Sequence, residues 1–301
     1  MTETAGKTRE TALVWANSRG ENLVGVWHAP PENGPLRGAI LSLHGWSGFR
    51  TGPHQMLTRA AREFAPEGFA TLRFDFAGRG DSDGDADFAT LATMRDDALG
   101  ALEVAREKLA RPELPIYVLG LCSGCEIAVA LVGDERARGQ IAGALLWSAP
   151  VFAALPSGER EAKKRGENLR KYAAKLLQIS TYRKLLRGQI DTQSVSKAMK
   201  GKSGAAFKNL ESDAAGQLPV GFRAASMQGW QRFAGPVLQI YGGADPITEE
   251  AQGWYRQNSG ASFASRLSSA VVAGANHSFY GLSWEREVFA ISRDWLRKNH
   301  P

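Results

Sequence analysis

Apolar positions along the chain fall into short, nearly continuous runs separated by longer stretches of helical period. The runs are GAILSLHG (38–45), FATLRFDF (69–76), PIYVLGL (115–121), IAGALLWSA (141–149), GPVLQIYGG (235–243) and RLSSAVVAGA (266–275). Continuous rather than alternating apolar runs suit parallel strands covered on both faces. Between them QMLTRAAREFA (55–65), TLATMRDDALGALEVAREKLA (90–110) and EIAVALVGDE (126–135) predict helices. A last helix is expected over WEREVFAISRDWLRKNH, with Ser283 as its cap, Glu285 in its first turn and Arg297 and Lys298 in its last, matching the helix dipole. Upstream, TALVWA (11–16) and LVGVWHA (23–29) flank the polar turn NSRGEN and predict a β-hairpin. The regular alternation of strand and helix predicts an α/β fold: a doubly wound, mostly parallel sheet with an antiparallel hairpin at one edge.

The rhythm breaks once. Between 151 and 230 the strand runs vanish and basic amphipathic pieces appear, LRKYAAKLLQI, TYRKLLRGQI and TQSVSKAMK. We therefore expect a core made of residues 1–150 and 231–301, with 151–230 inserted as a basic helical cap. The net charge of +6 hides how uneven the chain is: residues 151–210 hold 14 Lys/Arg against 4 Asp/Glu, or +10, which leaves −4 for the rest. Such asymmetry bears on association rather than fold. It admits an anionic partner, a coenzyme A thioester or an acyl carrier protein. Nucleic acid is not expected, because no interleaved aromatics or binding motif accompany the charge. No run approaches the roughly 18 apolar residues of a membrane span, and the N-terminus lacks the apolar centre of a secretory signal, so a cytoplasmic protein is expected. Two cysteines three residues apart make neither a disulfide framework nor a zinc site, and neither metal nor cofactor is expected.

In open α/β sheets ligands bind beyond the carboxyl ends of the strands, and four such ends carry chemistry. Gly120-Leu121-Cys122-Ser123-Gly124 follows PIYVL and precedes a helix, the context of a G-x-S-x-G strand-to-helix turn with cysteine at its centre. Centring the motif on Ser123 would put Leu121 and Cys125 where the sharp turn needs glycines, so Cys122 is the expected nucleophile. At a helix N-terminus the dipole also favours its thiolate. Activation needs a base oriented by a third group. Asp245 in IYGGADPITEE and His277 in VVAGANHSFYG each lie just past a strand, in the chain order nucleophile, acid, histidine. Of the other histidines, His28 lies in the hairpin, His54 in an early loop, His300 in the tail and His44 in LSLHGWSG. In that last segment the backbone N–H of Trp46, together with that of Ser123, is expected to form an oxyanion hole suited to acyl transfer.

With these stations in place the chain resembles the α/β-hydrolase superfamily over nearly its whole length. LSLHGWSG is similar to the family's oxyanion strand, FDFAGRGDSDG (74–84) to its D-x-x-G-x-G-x-S turn, and GLCSG, GGADP and GANHSF to its nucleophile, acid and histidine segments. Cysteine in the nucleophile box resembles the dienelactone hydrolases and polyhydroxyalkanoate synthases, and GLCSG with TYRKLLRGQID is similar to exosortase-associated hydrolases. The expectation is a hydrolase acting on activated thioesters, esters or lactones through Cys122, His277 and Asp245, with an acyl-cysteine intermediate. An acyltransferase passing the acyl group to an alcohol or amine is the alternative on the same chemistry. A second alternative is thiol–disulfide exchange at Cys122-Ser123-Gly124-Cys125, a C-x-x-C at a strand-to-helix junction. Trp46, Trp147 and Phe152 are candidate walls of an acyl pocket. Arg50 is a candidate for meeting an anionic substrate, while Asp75, Arg79 and Asp81 are expected to bond loop backbone.

Overall fold

A computed structural model describes residues 8–152, 218–260 and 265–300. Most of the expected basic cap, residues 153–217, lies outside the described residues.

The hairpin forms as β1 (Arg9–Ala16) and β2 (Asn22–Ala29), paired antiparallel from Arg9 opposite Ala29 to Ala16 opposite Asn22. The apolar runs become β3 (Gly38–Leu43), β4 (Phe69–Phe74), β5 (Ile116–Leu121), β6 (Gly143–Trp147), β7 (Val237–Gly242) and β8 (Leu267–Val272). One eight-stranded sheet results, in the order β1-β2-β4-β3-β5-β6-β7-β8, parallel from β4 to β8. Every residue of β3, β4, β5, β6 and β7 is buried, as continuous apolar runs require. β8 differs: at the sheet edge it exposes Ser268, Ser269 and Val271.

Helices cover both faces. On one side α1 (Met56–Phe64) and α6 (Leu282–Asn299) enclose Ile40, Leu119, Leu145, Trp147 and Phe289. On the other, α2 (Leu91–Leu109), α3 (Gly124–Val132), α4 (Phe222–Arg232) and α5 (Thr248–Asn258) enclose Leu41, Val118, Leu146 and Tyr241. Neighbours along a strand thus belong to opposite cores, the period of two that a pleated strand imposes. Thr90 caps α2 by accepting the Thr93 N–H at 3.1 Å, with the reciprocal Thr93 bond present. Ser283 does not cap α6: the helix starts at Leu282 behind Gly281, so the serine lies inside the first turn. Helix α4 packs on α3 so closely that a Cβ on Gly229 would stand 2.0 Å from the Gly133 carbonyl oxygen.

The parallel register puts the carboxyl ends of β3, β5, β6, β7 and β8 on one rim. Leu43 pairs with Gly120, Leu121 with Trp147, Trp147 with Ile240 and Gly242 with Val272. No helix among the described residues is long and apolar enough to cross a membrane.

Candidate active site

The turn from β5 into α3 forces Cys122 to φ 56°, the left-handed region that a non-glycine residue occupies only when its surroundings hold it there. They do so with backbone. The Cys122 N–H donates to the Trp147 carbonyl at 2.9 Å, and the Cys122 carbonyl accepts the Cys125 N–H at 2.9 Å. The flanking glycines are steric requirements. A Cβ on Gly124 would stand 2.2 Å from the Leu43 oxygen, and one on Gly120 would stand 2.7 Å from the Cys125 Cα. The turn therefore presses against the end of β3 and lifts the thiol above the sheet.

Three strand ends converge on that sulfur. His277 Nε2 lies 3.0 Å from Cys122 Sγ, and His277 Nδ1 lies 2.6 Å from Asp245 Oδ2. The two loops are tied together, since the Ala244 N–H donates to the Ala275 carbonyl at 2.8 Å. Asp245 Oδ1 also accepts the Ile247 N–H at 3.3 Å. Burial pushes the Cys122 thiol up, but the bond and charge of His277 and the amide and hydroxyl of Ser123 outweigh it, so the thiol's pKa falls below its ordinary value. The bond to Asp245, then the bond to Cys122, raise His277 to about 10 against the opposing effect of burial. Both shifts favour a thiolate–imidazolium pair.

The loop after β3, where the oxyanion donor is expected, is braced rather than floppy. His44 Nε2 accepts the Phe76 N–H at 3.4 Å, so its proton sits on Nδ1 and is given to the Gly45 carbonyl at 2.8 Å. Burial takes the His44 pKa down to about 4, keeping that ring neutral. Arg79 Nε donates to the Trp46 carbonyl at 2.6 Å. The expected donor, the Trp46 N–H, points toward the turn and is occupied by Ser123 Oγ at 2.9 Å. Nothing in the sequence signals this bond, in which the Ser123 oxygen accepts from the β3 loop while its hydroxyl lies against Cys122.

The remaining candidates go elsewhere. Trp147 is fully buried on the α1/α6 side, with its ring near Phe64 and Phe289 and its indole N–H bonded to Ser292 Oγ at 3.1 Å, so it is a core residue and not a pocket wall. Phe152 is fully buried in the opposite core; the Arg223 guanidinium lies 5.4 Å over its ring and donates to its carbonyl at 2.5 Å. Arg50 does not face the crevice as a free cation. It pairs with the buried carboxylate of Asp75 and with Asp81 at 2.6 Å. Asp75 also accepts the N–H groups of Arg50 at 2.6 Å and Asp81 at 3.0 Å, so this cluster fastens loops. Cys125 is fully buried and donates to the Gly120 and Trp147 carbonyls at 3.2 and 3.4 Å. Burial pushes its thiol well up. In a C-x-x-C pair one accessible, acidic thiol attacks and a buried partner resolves, so Cys125 has the character of a resolving sulfur only, and exchange would have to begin at Cys122. Ser148 and His54 contact the His277 loop, and nothing in their sequence neighbourhood signals it.

Residues 34–281 match the family described as serine aminopeptidase, S33 (Hydrolase_4). The chain belongs to that family. Solved α/β hydrolases share the fold of this S33-family chain. An esterase of Pyrococcus furiosus has a TM-score of 0.64 at 17% identity, covering 98% of this chain and 92% of its own. A dienelactone hydrolase of Anabaena variabilis has a TM-score of 0.60 at 14% identity, with 97% of each chain covered. A thermophilic esterase of Thermogutta terrifontis has a TM-score of 0.60 at 20% identity, covering 97% of this chain and 100% of its own. No curated protein matches the sequence.

Proposed function

We propose that this S33-family chain hydrolyses activated acyl compounds, thioesters, esters or lactones, with Cys122 as nucleophile, His277 as proton carrier and Asp245 as the group that orients it. The observation that carries this is the continuous contact from Asp245 Oδ2 through His277 to Cys122 Sγ, 2.6 Å and 3.0 Å long, at a cysteine held in left-handed backbone above the sheet. The thiolate attacks the acyl carbon, and the carbonyl π electrons move onto oxygen. That oxygen takes over the Trp46 N–H from Ser123 Oγ and shares the Ser123 N–H. The tetrahedral intermediate collapses with loss of the alcohol or thiol, which takes its proton from the His277 imidazolium. Neutral His277 then removes a proton from water as water attacks the thioester, and the same proton returns to sulfur or stays on the imidazole as the acid departs. An oxyanion donor in such a site contributes roughly 3 kcal/mol to the barrier reduction.

The esterase and dienelactone hydrolase neighbours support acyl hydrolysis by analogy of fold. A coenzyme A thioester or acyl carrier protein as the acyl carrier is supported only by the +10 charge of residues 151–210. The test compares variants on a short acyl thioester and on the matching p-nitrophenyl ester. Cys122→Ala is expected to lose roughly 10³-fold or more in kcat/KM on both. Cys125→Ala is expected to stay within about threefold of the parent, whereas thiol–disulfide exchange would need both sulfurs. Undiminished turnover in Cys122→Ala would contradict cysteine catalysis.

A further inference from the structure

The segment that carries His277 is held from outside at two successive carbonyls. Ser148, just past β6, donates its hydroxyl to the His277 carbonyl at 2.6 Å. His54 Nε2, in the loop after β3, lies 2.9 Å from the Ser278 carbonyl. The second bond has a fixed sense because its neighbours determine the His54 tautomer. Arg59 Nη2 stands 3.1 Å from His54 Nδ1, and a guanidinium can only donate, so Nδ1 accepts and the ring proton sits on Nε2, facing the carbonyl. The other hydrogen of Arg59 Nη2 goes to Glu285 Oε2 at 2.6 Å, and Arg59 Nε donates to Glu285 Oε1 at 2.5 Å, the bidentate geometry that locks a guanidinium. Glu285 is 3% exposed in the first turn of α6. A chain of bonds therefore runs from α6 through α1 to the loop of the catalytic base.

Backbone conformation marks the same residue. His54 and Gln55 have φ 41° and 64°, two successive non-glycine residues in the left-handed region at the approach to α1. A helix N-terminus needs no such conformation, and strain of this kind persists where the surroundings over-determine it. Tyr280, three residues past His277, closes over the His54 ring edge-on at 5.2 Å between centroids. Phe279, fully buried, takes φ 51° in the same loop, whose shape is thus set by contacts and not by local preference.

Given the Cys122–His277–Asp245 chemistry proposed above, we propose that His54 is a positioning residue for the catalytic histidine: its Nε2–H bond to the Ser278 carbonyl, with the tautomer set by Arg59 and Glu285, holds the loop where one imidazole reaches both Asp245 and Cys122. The ring of His277 faces Asp245 and Cys122, and that of His54 faces Arg59 and Glu285, so among the described residues the two histidines lie in separate side-chain networks that meet at the loop backbone. Loosening the pin displaces the imidazolium from the sulfur without altering either partner.

Alkylation of Cys122 by iodoacetamide, located by peptide mass, reads thiolate formation with no substrate present. In His54→Ala the acid limb of the alkylation–pH profile moves up by about one unit, so that on this limb the reaction slows about tenfold. In the same variant kcat falls roughly 10- to 100-fold, with KM within about twofold of the parent. His54→Gln, whose amide N–H can take the place of Nε2–H, restores both quantities, and Arg59→Met, which keeps the ring but frees its tautomer, moves the limb the same way by less. A His54→Ala profile that superimposes on the parent's overturns the proposal, as does a fall in kcat without movement of the limb, the signature of general destabilisation. Cysteine catalysis is refuted by a different result, turnover surviving in Cys122→Ala, and the alkylation profile still reports whether His54 places His277.

Discussion

At the scale of single residues, the thiol and the imidazole are shifted in opposite directions, and the signs determine the pH window. The reactive pair, thiolate with imidazolium, exists above the lowered pKa of Cys122 and below the raised value of His277, about 10. Activity therefore falls on the acid side as sulfur regains its proton and on the alkaline side as His277 loses its own. The bond to Asp245 is the largest contributor to the raised imidazole. Asp245→Asn is expected to bring the alkaline limb of kcat/KM down from about 10 toward the ordinary histidine value and so to narrow the window from above. The measurement is the pH dependence of kcat/KM on an activated thioester. An alkaline limb that stays near 10 in that variant would show that some other group sets it.

At the scale of elements, the site depends on how tightly the β5–α3 turn sits against the end of β3. Gly124 has no room for a methyl group, because the obstacle 2.2 Å away is the Leu43 backbone carbonyl and not a side chain able to rotate. Gly124→Ala is expected to cost about 2 kcal/mol in urea unfolding, and kcat should fall by more than tenfold because the Trp46 N–H moves away from Cys122. A variant with the parent's stability and rate would mean that the two loops are not in register as described. The same scale shows what pattern reading missed. TEEAQGWYRQN is polar around a central glycine and carries no clear helical stripe, yet α5 forms because Ala251 and Tyr255 bury against Tyr241 and Trp230. Tertiary burial overrode weak local preference there. Ser283 had the composition of a cap, but the chain enters α6 two residues earlier, and Gly281 stands where the cap would be.

At the scale of the whole molecule, the sheet was legible because burial on both faces leaves a plain mark, nearly continuous apolar residues with glycine at the turns. The order of Cys122, Asp245 and His277 was legible for a related reason: each lies in the loop that leaves a strand end, and a parallel sheet gathers its strand ends on one rim. What lay beside the site was not. An apolar residue at a strand end reads alike whether it faces the crevice or the core, and strand parity puts Trp147 in phase with Leu145 on the α1/α6 side. Arg50 could not be separated from a substrate-binding arginine until its carboxylate partners were placed, because they lie 25 and 31 residues away in sequence. His54 contacts a carbonyl 224 residues distant, and no local pattern encodes such a bond.

The central claim is that an acyl group becomes attached to the sulfur of Cys122. Intact-mass analysis after brief incubation with an activated acyl thioester, followed by peptide mapping, tests it directly. A single acyl increment located on Cys122, absent in Cys122→Ala and persisting in His277→Ala where deacylation lacks its base, is the predicted result. An increment on Ser123 or on any other residue, or steady turnover in Cys122→Ala with no adduct at all, would contradict it.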